Sequence, residues 1–595
     1  MSWEVQTMRS KISSCKPSLP VMWKNFTRYW PIWGSYLAIW LLLLPLTLLR
    51  ENDEWIVNMG ESGIILPFGQ QIGVVFSVIY GFLSAAAVWS YLYNHRSASL
   101  YHALPVSREG MFLSHTLSGL GLTVLPNVVV FLLSWLICMG RGLIGATPCL
   151  LGWLGAVCLQ NLFFFCFATL LAMLTGNLPT HAVLYAVLNL AVFVCESLIR
   201  IFAAMLTRGL TEGEPLLVFL SPPVRMFREY NYNYNEERIV DLLGYPMLLA
   251  YAAAGVILLV LALLLYRRRD TERAGDVIAV PFLRPVAKYC FTFGCALVLG
   301  WILHQVIFQG RESLICVLCS LLLGGLIGYL AAAMLLKKSF RVFDKKTVAG
   351  FCVFALVVTA GLVGMKTDVF GAGRWVPRAD QLSRAEVYCQ NGYYAWLADD
   401  DPAKLDTILA LHQASAAQRP GEEDATVTCT IEYSLTDGRM LRRAFEVSCE
   451  PQELADPSRP AGLLNRLLND PDHLMDRILP PADARLASIA VYAHEEDLNP
   501  KADPYQYEYA NTKDFQPLLD AIREDVLAGD YGRWDPYTDY REPAYTIEIE
   551  YALPTSGSAA YYARTRSYSL DFSRDEAPRT FALLQELGYL RGSKR

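Results

Sequence analysis

The sequence predicts a polytopic α-helical membrane protein. About nine transmembrane helices lead into a C-terminal extracellular α+β domain built from two β-α-β-β-α repeats. Three observations lead there. The first is a series of apolar runs longer than the ~18 residues that mark a membrane span, in a 595-residue chain that is 53% hydrophobic and only 18% charged. The second is charge segregation: residues 1–366 hold 27 Lys+Arg against 18 Asp+Glu, and residues 367–595 hold 24 against 39. The third is a near-repeat of one strand, Thr430-Ile431-Glu432-Tyr433-Ser434-Leu435 and Glu548-Ile549-Glu550-Tyr551-Ala552-Leu553. Such a composition excludes a disordered chain, a coiled-coil rod and a small disulfide scaffold. Nucleic-acid binding needs a concentrated basic face, and the soluble half has the wrong sign. The expected partner of the first half is the lipid bilayer.

The nine spans are read at Trp30–Leu49, Gln71–Tyr93, Met111–Met139, Pro148–Leu174, His181–Met205, Gly244–Tyr266, Tyr289–Phe308, Leu314–Leu336 and Val348–Gly364. The third is long and the last short. Basic residues set the orientation. With the N-terminus cytoplasmic, the inner segments hold 18 of the 27 Lys+Arg of residues 1–366, including Arg267-Arg268-Arg269 and Lys337-Lys338 at span ends. An odd number of spans then places residues 367–595 outside, at the surface of the cell membrane. The first 29 residues lack an apolar h-region and a small-residue cleavage site, so the first span is expected to be its own anchor. The aromatic and cationic stretch from Val21 to Trp30 fits either an interfacial segment or a plain basic flank.

The outer half divides at about residue 480 into two copies. The first opens with the strand Ala385–Cys389 and continues with a helix started by Asp401-Pro402. A hairpin follows, Thr426–Leu435 and Met440–Ser448, turned at Asp437-Gly438, and a short helix near Leu463–Leu468 closes it. The second opens with Ile489–Ala493, has a helix capped by Asp514, a hairpin Tyr545–Leu553 and Tyr561–Phe572, and a closing helix Thr580–Leu590. Alternation at period two supports the strands, and Asp-Gly is a strong hairpin signal. A two-residue turn would split the apolar groups of the first hairpin between faces. A three-residue loop reunites them and sets Cys429 opposite Val447, with Cys449 a diagonal step away. Three cysteines (Cys389, Cys429, Cys449) leave one thiol unpaired in a monomer, and the expectation is a domain that does not depend on disulfides.

Catalytic motifs are wanting in the sequence. Gly361-Leu362-Val363-Gly364-Met365-Lys366-Thr367 has the wrong spacing for a phosphate loop, so no ATP hydrolysis is expected of this chain. His494-Glu495-Glu496-Asp497 lacks the second histidine of a zinc protease motif. Gly60-Glu61-Ser62-Gly63 reads as a loop turn. Cys316 and Cys319 form C-x-x-C inside an apolar helix, a poor place for zinc. No metal site is expected.

Two membrane features remain. Glu196 and Arg200 form an i, i+4 pair in the fifth span. Such a pair either lines a translocation path or dimer seam, or sits at the interface with Arg200 reaching outward. The second feature is the loop between spans two and three. Within it Leu100, Ala103 and Leu104 form a short apolar helical face, Pro105 ends the helix, and Ser107 is placed to cap the next span. A compact amphipathic helix held between two span ends suits docking into a partner's groove.

Leu100-Tyr101-His102-Ala103-Leu104-Pro105-Val106-Ser107-Arg108, followed by a hydrophobic third span, resembles ABC-2-type permease subunits of Gram-positive bacterial ABC transporters. The resemblance implies a six-span module at residues 30–266 behind a basic interfacial segment at residues 1–29. It also implies a part-embedded hairpin within Leu206–Asp241. Ser97, Leu100, Tyr101, His102, Leu104, Pro105 and Arg108 would belong to a coupling helix that docks on a separate ATP-binding subunit. That subunit would carry the ATP and Mg2+, this chain would bind no cofactor, and a second permease subunit would complete a dimer. Spans seven to nine (267–366) and the outer domain exceed the minimal plan. The expected function is therefore a transporter permease, an exporter of an amphipathic or envelope-related substrate. The competing class is a non-transporting membrane sensor or scaffold whose outer domain binds a ligand.

Overall fold

The computed structural model describes residues 16–50, 65, 67–143, 145–213, 215–229, 244–268, 283–337, 339–369, 371–391, 393–418, 425–480, 485–493, 507–537, 545–552, 565–573 and 576–590. Gly60–Gly63, the acidic run at Glu495 and residues 230–241 of the expected hairpin lie outside them. The described residues contain nine helices long and apolar enough to cross a membrane: Trp30–Arg50, Gly73–Tyr93, Arg108–Gly140, Ala146–Leu174, Leu178–Leu206, Tyr245–Arg268, Arg284–Phe308, Leu314–Lys337 and Lys345–Lys366. Each matches an expected span. The last is longer than its apolar run, because Lys345, Lys346 and Lys366 are helical too. Its 22 residues give about 33 Å, enough for a ~30 Å hydrocarbon layer.

The chain forms two compact units. The first comprises Met1–Phe202 and Glu214–Leu362, the second Ala203–Gly213 and Val363–Arg595. Within the first, Ala146–Leu174 is the most enclosed of the long helices. Small residues set its contacts. A Cβ on Gly81 would come within 2.9 Å of the Phe164 Cβ, so Gly73–Trp89 approaches it closely. Helices Leu283–Phe308 and Leu314–Lys337 form a tight hairpin through Gln309 and Gly310, at φ 51° and 72°. Gly300 meets Gly324 there, where a Cβ would lie 2.6 Å from the Gly300 nitrogen. Close helix approach through small residues is how helices associate where both partner and solvent are apolar.

The second unit holds two sheets. Strands β1 (Gly209–Leu210), β2 (Leu382–Asn391), β3 (Tyr393–Asp399), β4 (Thr426–Leu435) and β5 (Met440–Ser448) form an antiparallel sheet in the order β1-β5-β4-β2-β3. Helices α1 (Pro402–Ala417) and α2 (Pro460–Leu468) cover its apolar face, where Ile408, Leu411, Leu464 and Leu468 pack on Val387, Ile431, Tyr433 and Val447. Strands β6 (Arg485–Ala493), β7 (Tyr507–Tyr509), β8 (Tyr545–Ala552) and β9 (Thr565–Phe572) form the other, in the order β7-β6-β8-β9. Helices α3 (Phe515–Ala528) and α4 (Pro578–Leu587) share its core, which includes Leu518, Ile522, Ile547, Ile549 and Leu584.

Three expectations are corrected here. Each β-α-β-β-α order gains an edge strand, β3 or β7, before its first helix. The β4–β5 loop has three residues, Thr436-Asp437-Gly438, closed by Leu435 N–H donating to Arg439 O at 2.8 Å. It starts one position earlier than expected, so Cys429 lies opposite Phe445 and not Val447. Gly438 accounts for the position, since it takes the left-handed φ of 82° that the loop requires. A shift of two residues preserves the pleat, which is why the apolar face survives. Asp514 does not cap its helix through its side chain; its carboxylate accepts from the Tyr589 hydroxyl at 2.8 Å.

Candidate functional site

The segment joining Gly73–Tyr93 to Arg108–Gly140 is built by local caps. Asn94 has extended backbone and its side chain accepts from Arg96 N–H at 3.0 Å, starting a helix at His95–His102. Ala103 N–H still bonds Ser99 and Leu100 carbonyls, but no helical bond continues past Pro105. Ser107 then accepts from Gly110 N–H at 3.1 Å and caps the next helix, as its position suggests.

The short helix has two unlike sides. Ala98 is buried, and Tyr101 stacks on Tyr91 at 4.5 Å between ring centroids. Tyr101 also lies 5.6 Å from the His115 ring. The opposite side presents Leu100, 68% exposed, and Leu104, 39% exposed, with Ala103 and Pro105 also at the surface. Ser97 is half-buried and Arg108 exposed. The His102 side chain lies outside the described residues. Arg108 donates to the Arg267 carbonyl at 3.0 Å, and Glu109 pairs with Arg267 at 2.6 Å. The loop is thereby clamped to the end of Tyr245–Arg268.

The inner side of this helix rests on aromatic and polar residues from several other helices. Tyr91 and Tyr266 hydroxyls are 2.9 Å apart. The His115 ring lies 5.0 Å from that of Tyr91 and 5.3 Å from that of Trp89. Asn25, on the amphipathic helix Leu19–Arg28, donates to Ser118 at 2.8 Å and bonds His115 Nδ1 at 2.9 Å. One buried polar and aromatic knot therefore joins the short helix, the N-terminal helix and three long helices. A histidine inside an apolar helix is a sequence signal for it; its partners were not readable.

Glu196 and Arg200 form a different arrangement. Arg200 donates to Glu196 Oε1 through Nε at 3.1 Å and Nη2 at 2.8 Å. The same carboxylate accepts the Leu216 and Leu217 N–H groups, each at 2.7 Å. Ser221 accepts from Phe193 N–H at 3.0 Å, and Tyr251 donates to the Phe219 carbonyl at 2.8 Å. The carboxylate holds the 215–221 turn against its own helix, and four donors use its lone pairs. The helix Pro222–Glu229 follows directly.

Among the described residues no group of three His, Cys, Asp or Glu side chains could hold a metal ion. An open cleft of about 430 Å3 in the second unit is lined by Asp530, Tyr531, Arg533, Trp534, Asp535 and Glu576 among others. Its described lining includes no serine, cysteine or histidine. Comparisons with family models, curated proteins and solved structures returned no match.

Proposed function

We propose that this chain is the membrane-spanning permease subunit of an ABC transporter, driven by a separate ATP-binding subunit. One observation carries the reading. A short helix is fixed by caps and by half-buried Tyr101 between two long apolar helices, and it turns Leu100 and Leu104 outward. A helix seated so firmly, with leucines facing away from its own fold, is suited to enter a groove on another protein. In this reading closure of an ATP-bound partner pushes on residues 95–108. The push reaches Arg108–Gly140 through Ser107 and His115, and Tyr245–Arg268 through Arg108 and Glu109.

The concentration of basic residues in alternate loops puts the short helix in the cytoplasm and the second unit outside. Residues 30–266 then form the six-span module, with three further spans at 267–366. Glu196 and Arg200 act by holding the 215–229 segment, beside the route of an amphipathic cargo or the seam with a second permease subunit. The outer unit reads as a duplication. Its sheets share the strand order β3-β2-β4-β5 and β7-β6-β8-β9, and each carries a bulge near the start of its second strand in that order, at Leu382/Arg384 and Leu486/Ser488. A second reading, a sensor that transports nothing, is favoured by the polar cleft near Trp534.

Affinity purification from the native membrane, followed by mass spectrometry, separates the two. The permease reading expects a stoichiometric companion with a phosphate loop and an ABC signature. A companion kinase or regulator, with no ATP-binding cassette, favours the sensor.

A further inference from the structure

Strands β2 and β4 are far apart in sequence, and their pairing brings two cysteines together that the β4–β5 hairpin alone does not. Cys389 on β2 lies directly opposite Cys429 on β4. Opposed residues on antiparallel neighbours point to the same face, and both side chains are buried in the same apolar core. The neighbouring Cys429 thiol, together with burial, pushes the Cys389 thiol well above its ordinary range. Opposed α-carbons in an antiparallel pair are about 4.5–5.5 Å apart, within the roughly 4.4–6.8 Å that a disulfide spans.

The third cysteine is not an equal candidate. Cys449 N–H donates to the Ala425 carbonyl at 2.8 Å, which sets its backbone level with Ala425. That is four residues along β4 from Cys429, about 13 Å at the usual rise. Its own Sγ contacts the Val447 carbonyl at 3.6 Å. Outside this core, the other described cysteines all lie on long apolar helices.

We propose that Cys389 and Cys429 are the two halves of a cross-strand disulfide that the second unit acquires outside the cell, with Cys449 remaining a thiol. The inference rests on the outward placement of that unit. The oxidant is an extracytoplasmic disulfide, either a small molecule or a protein oxidoreductase. One cysteine thiolate attacks it, forming a mixed disulfide and releasing the first oxidant thiol. The second thiolate displaces the other oxidant sulfur and closes the Cys389–Cys429 bond. The two protons lost by the cysteines end on the two thiols of the reduced oxidant. Both sulfurs are enclosed in the folded core, so exchange takes place before helices α1 and α2 close over the sheet.

The test is differential alkylation of the full-length protein in native membranes. The sample is quenched in acid and denatured with iodoacetamide present, then reduced and labelled with N-ethylmaleimide. The proposal expects N-ethylmaleimide on Cys389 and Cys429 and iodoacetamide on Cys449. In the Cys389→Ser variant, Cys429 should move entirely to the iodoacetamide label. Iodoacetamide on both Cys389 and Cys429 of the unaltered protein overturns it. A refolding arm with glutathione disulfide then finds the fault. Linkage in that arm alone condemns the outward placement, and no linkage in either arm condemns the pairing.

Discussion

Replacing Leu100 and Leu104 together with aspartate removes the proposed docking face without touching the bundle. Full burial of a leucine is worth about 1.5–3 kcal/mol. Leu100 is 68% exposed and Leu104 39% exposed, so docking can add about 1–2 kcal/mol from the first and about 0.6–1.2 kcal/mol from the second. Their loss totals about 2–3 kcal/mol, or roughly a 30- to 150-fold weaker complex. Burying two new carboxylates against the partner weakens it further. The assay titrates the detergent-purified chain with the proposed ATP-binding subunit and compares the double variant with the native protein. The Leu100→Ala and Leu104→Ala single variants should fall between, with the larger loss at Leu100. Thermal melting of the isolated chain is the control and should not change in the Leu100→Ala variant, because Leu100 is 68% exposed. An undiminished affinity in the double variant would refute the docking argument.

Two further predictions concern the remaining polar groups. His412 is fully enclosed beside Tyr433 and Arg443, and burial, with the Arg443 charge adding to it, lowers its pKa from 6.5 to about 4. The unfolded chain binds this proton more readily, so stability of the second unit rises with pH from about 4 to 6.5 and is lost as pH falls through that window. The full effect is about 3 kcal/mol, read as hydrogen exchange of the 402–417 and 426–448 amides in the intact protein. A His412→Leu variant should be less stable at pH 7, where it loses the 3.2 Å bond to Tyr433, yet lack that slope; parallel slopes would sink the assignment. Changing Glu196→Gln removes the charge that holds Arg200 and one of the oxygens that hold the 215–221 turn. Local opening there should become easier by about 1–3 kcal/mol, seen as faster exchange at Leu216 and Leu217 with other amides unchanged, and equal exchange would argue against the latch.

The long helices were legible because each is a continuous apolar run long enough to cross a bilayer, which composition alone reveals. Only their ends moved, as at Lys345 and Lys366, where flanking cations continue the helix without adding to the apolar run. The parity of the β4–β5 hairpin was legible from alternation, but its register was not. A loop of three residues can begin at Thr436 or one residue later, and Gly438 decides the matter only once its backbone angle is known. The edge strand β7 is three residues long, too short for a periodic signal. At the sites, sequence spacing placed Leu100, Leu104 and Ser107 because helix faces and caps are local properties. It could not place Tyr91, His115, Tyr266 and Asn25 around Tyr101, since that knot joins segments up to 241 positions apart. Glu196 was visible as the partner of Arg200, four residues away. Its larger task, holding the N–H groups of Leu216 and Leu217, is a long-range contact that no periodicity encodes. The same holds for Cys389, which meets Cys429 only through pairing of β2 with β4.

The account turns on what covers the outer face of the short helix. A photoreactive amino acid incorporated at position 100 of the full-length chain, activated by light in native membranes, reports that neighbour directly. The account predicts one dominant protein adduct, and its peptides should include a phosphate loop and an ABC signature. Adducts formed only with lipid, or only with this chain itself, would contradict it.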